Sequence, residues 1–280
     1  MPGPRLILLL LLTALLLAAC SRVQFVYDRA DWLGARWVAN YLDLDREQRR
    51  WIRSEIDSYR DFHRRQRLPE INAFLNTLID DIEQQRFRRT TLVDRLGNAE
   101  TMFRQTARDV LPTSAEVLAD LNAEQRQSLA QRFQDRQEEQ QERQREREQM
   151  DEQERRQALR QGAESWLGSV SEGQIDHLIS CRDQLPEVGL LQQSWETARQ
   201  KELLERMENS ESVESLGSYL EDWWLDYREQ PPELAGARAV RRVVTVDCLE
   251  VFLPTLSEDQ RGHLLDRLKS YQREVSRLLE

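Results

Sequence analysis

Three cysteines and three histidines carry the most reactive side chains of this 280-residue chain. A thiolate is a nucleophile and a soft metal ligand, two thiols in an oxidising compartment form a disulfide, and an imidazole serves as general base or ligand. Their spacing supports little of this. His63, His177 and His263 are scattered, without a His-Glu-x-x-His pattern or neighbouring ligands at metal-site spacing. His177 and His263 each stand three residues after a recurring glutamine, which reads as equivalent helical positions and not as a ligand pair. No Cys-x-x-Cys, Gly-x-Ser-x-Gly, phosphate-cradling loop or dinucleotide fingerprint occurs. The 50 acidic residues are too many for one pair to stand out. The sequence therefore nominates no catalytic residue, metal site, cofactor or small-molecule substrate, and the expectation is a protein that is not an enzyme.

Cys20 is the exception with a defined chemistry. It follows one basic residue, Arg5, an apolar run from Leu6 to Leu17, and the small pair Ala18 and Ala19. This is the layout of a secretory signal, with an apolar run shorter than the roughly 20 residues that cross a bilayer. Leu17-Ala18-Ala19-Cys20 resembles the bacterial lipobox. The resemblance implies removal of residues 1–19, lipidation of Cys20, and attachment to a membrane through its acyl chains, each buried methylene contributing about 0.8 kcal/mol. Ser21 in place of aspartate implies the outer membrane, with the chain facing the periplasm.

Cys181 and Cys248 remain, an even number that permits one disulfide in that compartment; two buried free thiols are the alternative. Closing a loop of that length stabilises a fold by about 4 kcal/mol in the chain-entropy model. The formal charge of −10 moves to about −11 without the signal, since Arg5 is lost with it. Nucleic acid is a poor partner for such a chain, because phosphate recognition needs a clustered basic face.

Glycine and proline are scarce and apolar residues recur at three and four, as in Ile71, Phe74, Leu75, Leu78, Ile79 and Ile82. The expectation is an all-α bundle of about ten helices, broken at Pro69, Pro112, Pro186, Pro231-Pro232 and Pro254. From Gln134 to Gln157 every residue except Met150 is charged or glutamine. The segment predicts one long, solvated helix over 122–161, about 60 Å in length, serving as spacer, arm or dimer contact. Trp32, Trp37 and Tyr41 share helical spacing, as do Trp223, Trp224 and Tyr227. Such residues suit cores, protein interfaces and membrane surfaces alike. Trp223 and Trp224 point about 100° apart on a helix, so one of them is expected to leave the core and, with Tyr227, to offer an interface.

One pattern occurs four times: an apolar residue, a helix-capping residue, and glutamine three positions later. Its members are Leu44-Asp45 with Gln48, Leu121-Asn122 with Gln125, Val170-Ser171 with Gln174, and Leu256-Ser257 with Gln260. Each is a capping box that starts a helix. The first two lie 77 residues apart and the last two 86, which suggests two related halves, residues 20–162 and 163–280; four independently capped helices are the other reading. The pattern resembles the Leu-Thr-x-x-Gln motif of small periplasmic helical proteins of the Spy and CpxP type, with Asp45, Asn122, Ser171 and Ser257 in place of threonine. That resemblance implies an ATP-independent chaperone or an envelope-stress factor.

Cys20-Ser21, Tyr27, Asp31-Trp32-Leu33, Arg36-Trp37, Tyr41, Leu44 and Gln48 are similar to the opening of a family of uncharacterised proteobacterial lipoproteins. This supports the location and implies no activity. The expected function is protein binding in the cell envelope, as a holdase-like chaperone or stress factor with an envelope protein as partner. The alternatives are a structural adaptor or spacer and, less favoured, a hydrolase of envelope polymers.

Overall fold

A computed structural model describes residues 29–280; the signal segment and Cys20 lie outside them. Among the described residues the chain is all α, with no strand and ten α-helices. In chain order they are α1 (Ala30–Tyr41), α2 (Arg46–Glu83), α3 (Arg89–Ala119), α4 (Ala123–Gln149), α5 (Glu152–Leu167), α6 (Glu172–Asp183), α7 (Gly189–Glu208), α8 (Val213–Glu221), α9 (Pro232–Phe252) and α10 (Glu258–Leu279). A π-helical turn at Asp222–Asp226 continues α8, and a 3₁₀ turn at Leu253–Thr255 follows α9.

α2 is the spine. Its 38 residues extend over about 57 Å, with α1 packed beside its start and α10 along its end. Small residues allow the first contact: Ala35 and Ala39 are buried, and a Cβ added at Gly34 would come within 3.8 Å of the Ile56 side chain. At the far end Ser276 reaches Asn72 (3.2 Å) and Lys269 reaches Glu83 (2.6 Å), so α10 runs antiparallel to α2. Pro69 and Pro112 do not end helices, against the expectation; they lie inside α2 and α3. An interior proline removes a hydrogen bond and costs about 3 kcal/mol, which packing offsets here. Leu68 and Leu111, the residues before them, are buried. Arg67 also grips Asp109 through both oxygens (2.7 and 2.8 Å), tying α2 to α3 at the level of both prolines. Pro186, Pro231-Pro232 and Pro254 do fall outside regular α-helix or at its first turn.

The helix expected over 122–161 is two helices. Met150 is extended, and Asp151 opens α5 with its own capping box, accepting from Glu154 N (2.8 Å) while Glu154 accepts from Asp151 N (2.9 Å). Nor is α4 a free arm. α7 lies along it, with Gln193 donating to the Gln137 carbonyl (3.2 Å) and Gly189 so close that an added Cβ would meet Gln144 at 3.3 Å.

Two apolar cores result; the larger draws on residues from both sides of Gly162 and the smaller only on residues after it. The larger joins Leu44, Ile52, Ala115, Leu121 and Leu129 to Leu203, Leu216 and Leu220 from α7 and α8. The smaller holds Leu167, Val170, Ile175, Phe252 and Leu256. Near the end of α2, buried Asp81 accepts from Arg86 (2.7 Å) and Arg95 (2.6 Å). Burial disfavours its charge, but the two guanidiniums outweigh this and hold the carboxyl below its ordinary value. The stabilisation from such a depressed group is complete above the ordinary carboxylate range and is lost as pH falls through the lowered value. Asp81→Asn is therefore expected to cost about 2 kcal/mol at pH 7, less than the roughly 3–5 kcal/mol of a fully buried pair because Arg86 and Arg95 stay partly exposed. In urea melts, its deficit relative to the parent should shrink below about pH 4.

Candidate functional site: two glutamine clasps and an apolar groove

All four predicted boxes form. Asp45, Asn122, Ser171 and Ser257 accept from the backbone N–H three residues on, and Gln48, Gln125, Gln174 and Gln260 reach back to the N–H of the cap. The boxes also meet in pairs. Gln125 Nε2 donates to Gln48 Oε1 (2.7 Å) and Gln48 Nε2 returns toward Gln125 Oε1 (3.4 Å). Gln174 and Gln260 exchange the same bonds at 2.9 and 2.8 Å. Each pair is a clasp joining two helix starts through primary amides. The second amide hydrogens go to backbone carbonyls of the partner's approach segment: Gln125 to Asp43 (3.0 Å), Gln48 to Asp120 (3.1 Å), Gln260 to Ser169 (2.8 Å) and Gln174 to Thr255 (3.3 Å). All four glutamines are buried, and their polar atoms are satisfied within the clasp.

A further layer recurs around the clasps. Arg49, Arg126 and Arg261, each following a motif glutamine, donate to the carbonyl of the apolar residue that opens the motif (Leu44 at 2.6 Å, Leu121 at 2.6 Å, Leu256 at 2.5 Å). The third motif has Ile175 at that place, fully buried, and Arg160 of α5 reaches the Val170 carbonyl instead (3.2 Å). The carbonyl keeps its donor although the sequence position has changed.

Cys181 and Cys248 are bonded, joining α6 to α9 across 67 residues. His177 stands beside them, its Nε2 3.2 Å from the Cys248 carbonyl and 3.4 Å from Cys181 Sγ, and its ring is stacked on Phe252. These three side chains are near enough to share a metal ion, but the disulfide occupies both sulfurs. His263 plays another part and closes over Gly168. That glycine ends α5 at φ +77°, where a Cβ would come within 2.6 Å of the imidazole, so no larger residue fits.

Between α5, α6, α9 and α10 lies a groove of about 560 Å³, walled by Leu159, Trp166, Leu178, Leu249, Leu253 and Leu264, with the Cys248 side chain in its lining. Trp166 is 41 % exposed at its rim, and Arg267 lies over its ring at 4.4 Å. Gly162 also lines it, and a Cβ added there would meet no atom within 4 Å. Sequence reasoning missed this groove. The Ala158, Gly162 and Ala163 spacing that thins the α5 wall was its only signal.

The expected interface at Trp223, Trp224 and Tyr227 takes another form. Both tryptophans are half-buried against the larger core, on the π-helical turn that brings them together at 6.3 Å. Tyr227 turns the chain at φ +52° beneath Arg238, 3.4 Å from its ring. The exposed tryptophans are Trp32, Trp37 and Trp166.

Fold and site together define an all-α bundle built on paired capping boxes, with one apolar groove beside the second pair. The chain belongs to a family of unknown function, DUF6279, whose model matches residues 40–223. That span holds the first clasp entire and Gln174 of the second, and it stops short of Gln260. No curated protein and no solved structure matches the chain.

Proposed function

We propose that this protein is a lipid-anchored, periplasm-facing binding protein of the bacterial envelope, without enzymatic activity, which holds apolar segments of other proteins in the groove beside the Gln174–Gln260 clasp. The groove carries the reading: a slot lined by apolar side chains and one cysteine, open to solvent and rimmed by a tryptophan, suits transient burial of an exposed hydrophobic segment. The lipobox-like Leu17-Ala18-Ala19-Cys20 supports the anchoring. The Cys181–Cys248 bond accords with an oxidising compartment. The adaptor alternative has less support, since α7 lies along the charged helix that was to be its arm.

Gly162→Phe tests the reading. The substitution puts an aromatic ring on the groove's wall at a position where an added Cβ meets no atom within 4 Å, and it replaces a poor helix former inside α5. The expected result is an unchanged circular dichroism spectrum with several-fold weaker suppression of aggregation of a denatured client. Equal suppression by both proteins, or none by the parent, would refute the proposal.

A further inference from the structure

At the end of the molecule where the described chain begins, α1 turns an aromatic face outward. Trp32 is 44 % exposed and Trp37 62 %, with Leu33 exposed between them. Exposed tryptophans are costly in water unless something covers them, and no other part of the described chain does. Beside them α1 and α2 enclose a shallow recess of about 460 Å³ whose walls include Trp32, Arg36, Arg49, Arg50 and Arg53, and no acid. Arg36 lies over the Trp32 ring at 5.3 Å. Among the described residues, Arg36, Arg50 and Arg53 form no ion pair with a carboxylate. In a chain of net charge −10, four guanidiniums gathered at one recess, of which only Arg49 has a carboxylate, Asp43, acting on it, are a local inversion of sign.

We infer that this face docks on a bilayer surface rich in anionic phospholipid, with the Trp32 and Trp37 rings at the depth of the headgroups and acyl ends and the arginines against lipid phosphates. Indole rings concentrate at this level because one edge is apolar and the other donates a hydrogen bond. Each basic side chain near an anionic leaflet adds to the attraction, and long guanidinium side chains reach the phosphates while their stems stay in the apolar layer. Position adds to charge complementarity: residues 1–28 lead directly into α1, and Cys20 stands nine residues before Arg29. A tether there holds this face, and not the groove, against the lipid. The docking extends the membrane-anchored reading and is separable from it.

The test uses the full chain, expressed with its own N-terminal segment and reconstituted into vesicles of phosphatidylethanolamine and phosphatidylglycerol with brominated acyl chains, which quench only tryptophans at the bilayer. The expected result is quenching that disappears in the Trp32→Phe/Trp37→Phe variant. It should also weaken when phosphatidylcholine replaces phosphatidylglycerol. In the chain that carries no lipid, Arg36→Gln/Arg50→Gln/Arg53→Gln should lower binding to anionic vesicles by roughly a hundredfold at low salt. Equal emission in brominated and plain vesicles, or quenching unchanged in the tryptophan variant, would overturn the docking. Mass spectrometry of the N-terminal peptide reads lipidation separately. A lipidated chain without quenching leaves the anchor and removes the docking, whereas an unlipidated chain that is still quenched does the reverse.

Discussion

Replacing Gln125 by alanine is expected to lower the stability of the protein by about 3–5 kcal/mol, the largest effect foreseen for any single side chain. The amide closes the α4 capping box at Asn122 N, pairs with Gln48, and supplies the Asp43 carbonyl with a donor. Alanine leaves each of these groups buried or half-buried and unpaired, at about 1–3 kcal/mol apiece. Loss of a capping residue alone costs nearer 1 kcal/mol. The magnitude therefore separates a clasp from an isolated cap, and chemical denaturation of the parent, Gln125→Ala and Asn122→Ala decides it. Gln48→Ala should add little to Gln125→Ala, because the two amides serve one another and their effects are not additive.

Reducing the Cys181–Cys248 bond, or replacing both residues by alanine, is expected to cost about 4 kcal/mol through the freedom returned to the unfolded loop between α6 and α9. For a chain of this size that is roughly a 10 °C fall in the melting temperature, read by calorimetry with and without reductant. The site of the effect is the groove: Cys248 belongs to its lining, and His177 keeps the sulfur pair in place from α6. A shift below about 2 °C would mean that the bond does not constrain the fold.

Local chemistry was the legible part of the sequence. Capping boxes depend on four consecutive residues, and all four predicted ones exist. Their pairing is a tertiary fact, but its trace was present. A capping box closes equally well with glutamate or glutamine. The fifth box, exposed and unpaired at Asp151, uses Glu154. The four that meet in pairs use glutamine, because only an amide both accepts from and donates to a facing copy. The same overlooked Asp-x-x-Glu signal would have split the helix expected over 122–161.

Where the reading failed, tertiary packing overrode local preference. Pro69 and Pro112 are helix breakers in isolation, and they stay inside α2 and α3 because buried leucines and the Arg67–Asp109 grip hold both helices through them. A π turn rotates Trp223 and Trp224 from their α-helical directions, so both return to the core side. The groove was the least visible feature, since it is a space between four helices drawn from residues 158–264 and no segment carries its shape.

The clasps give the chain's negative charge an internal purpose. Each one brings two helix starts face to face, and the aligned peptide dipoles place about half a positive charge at each start. Two such ends pressed together repel. Glu47 and Glu124 sit in the first turns meeting at one clasp, and Glu172, Glu258 and Asp259 in those meeting at the other. Part of the acidity that would ordinarily be read as a message to binding partners is thus addressed to the protein's own backbone.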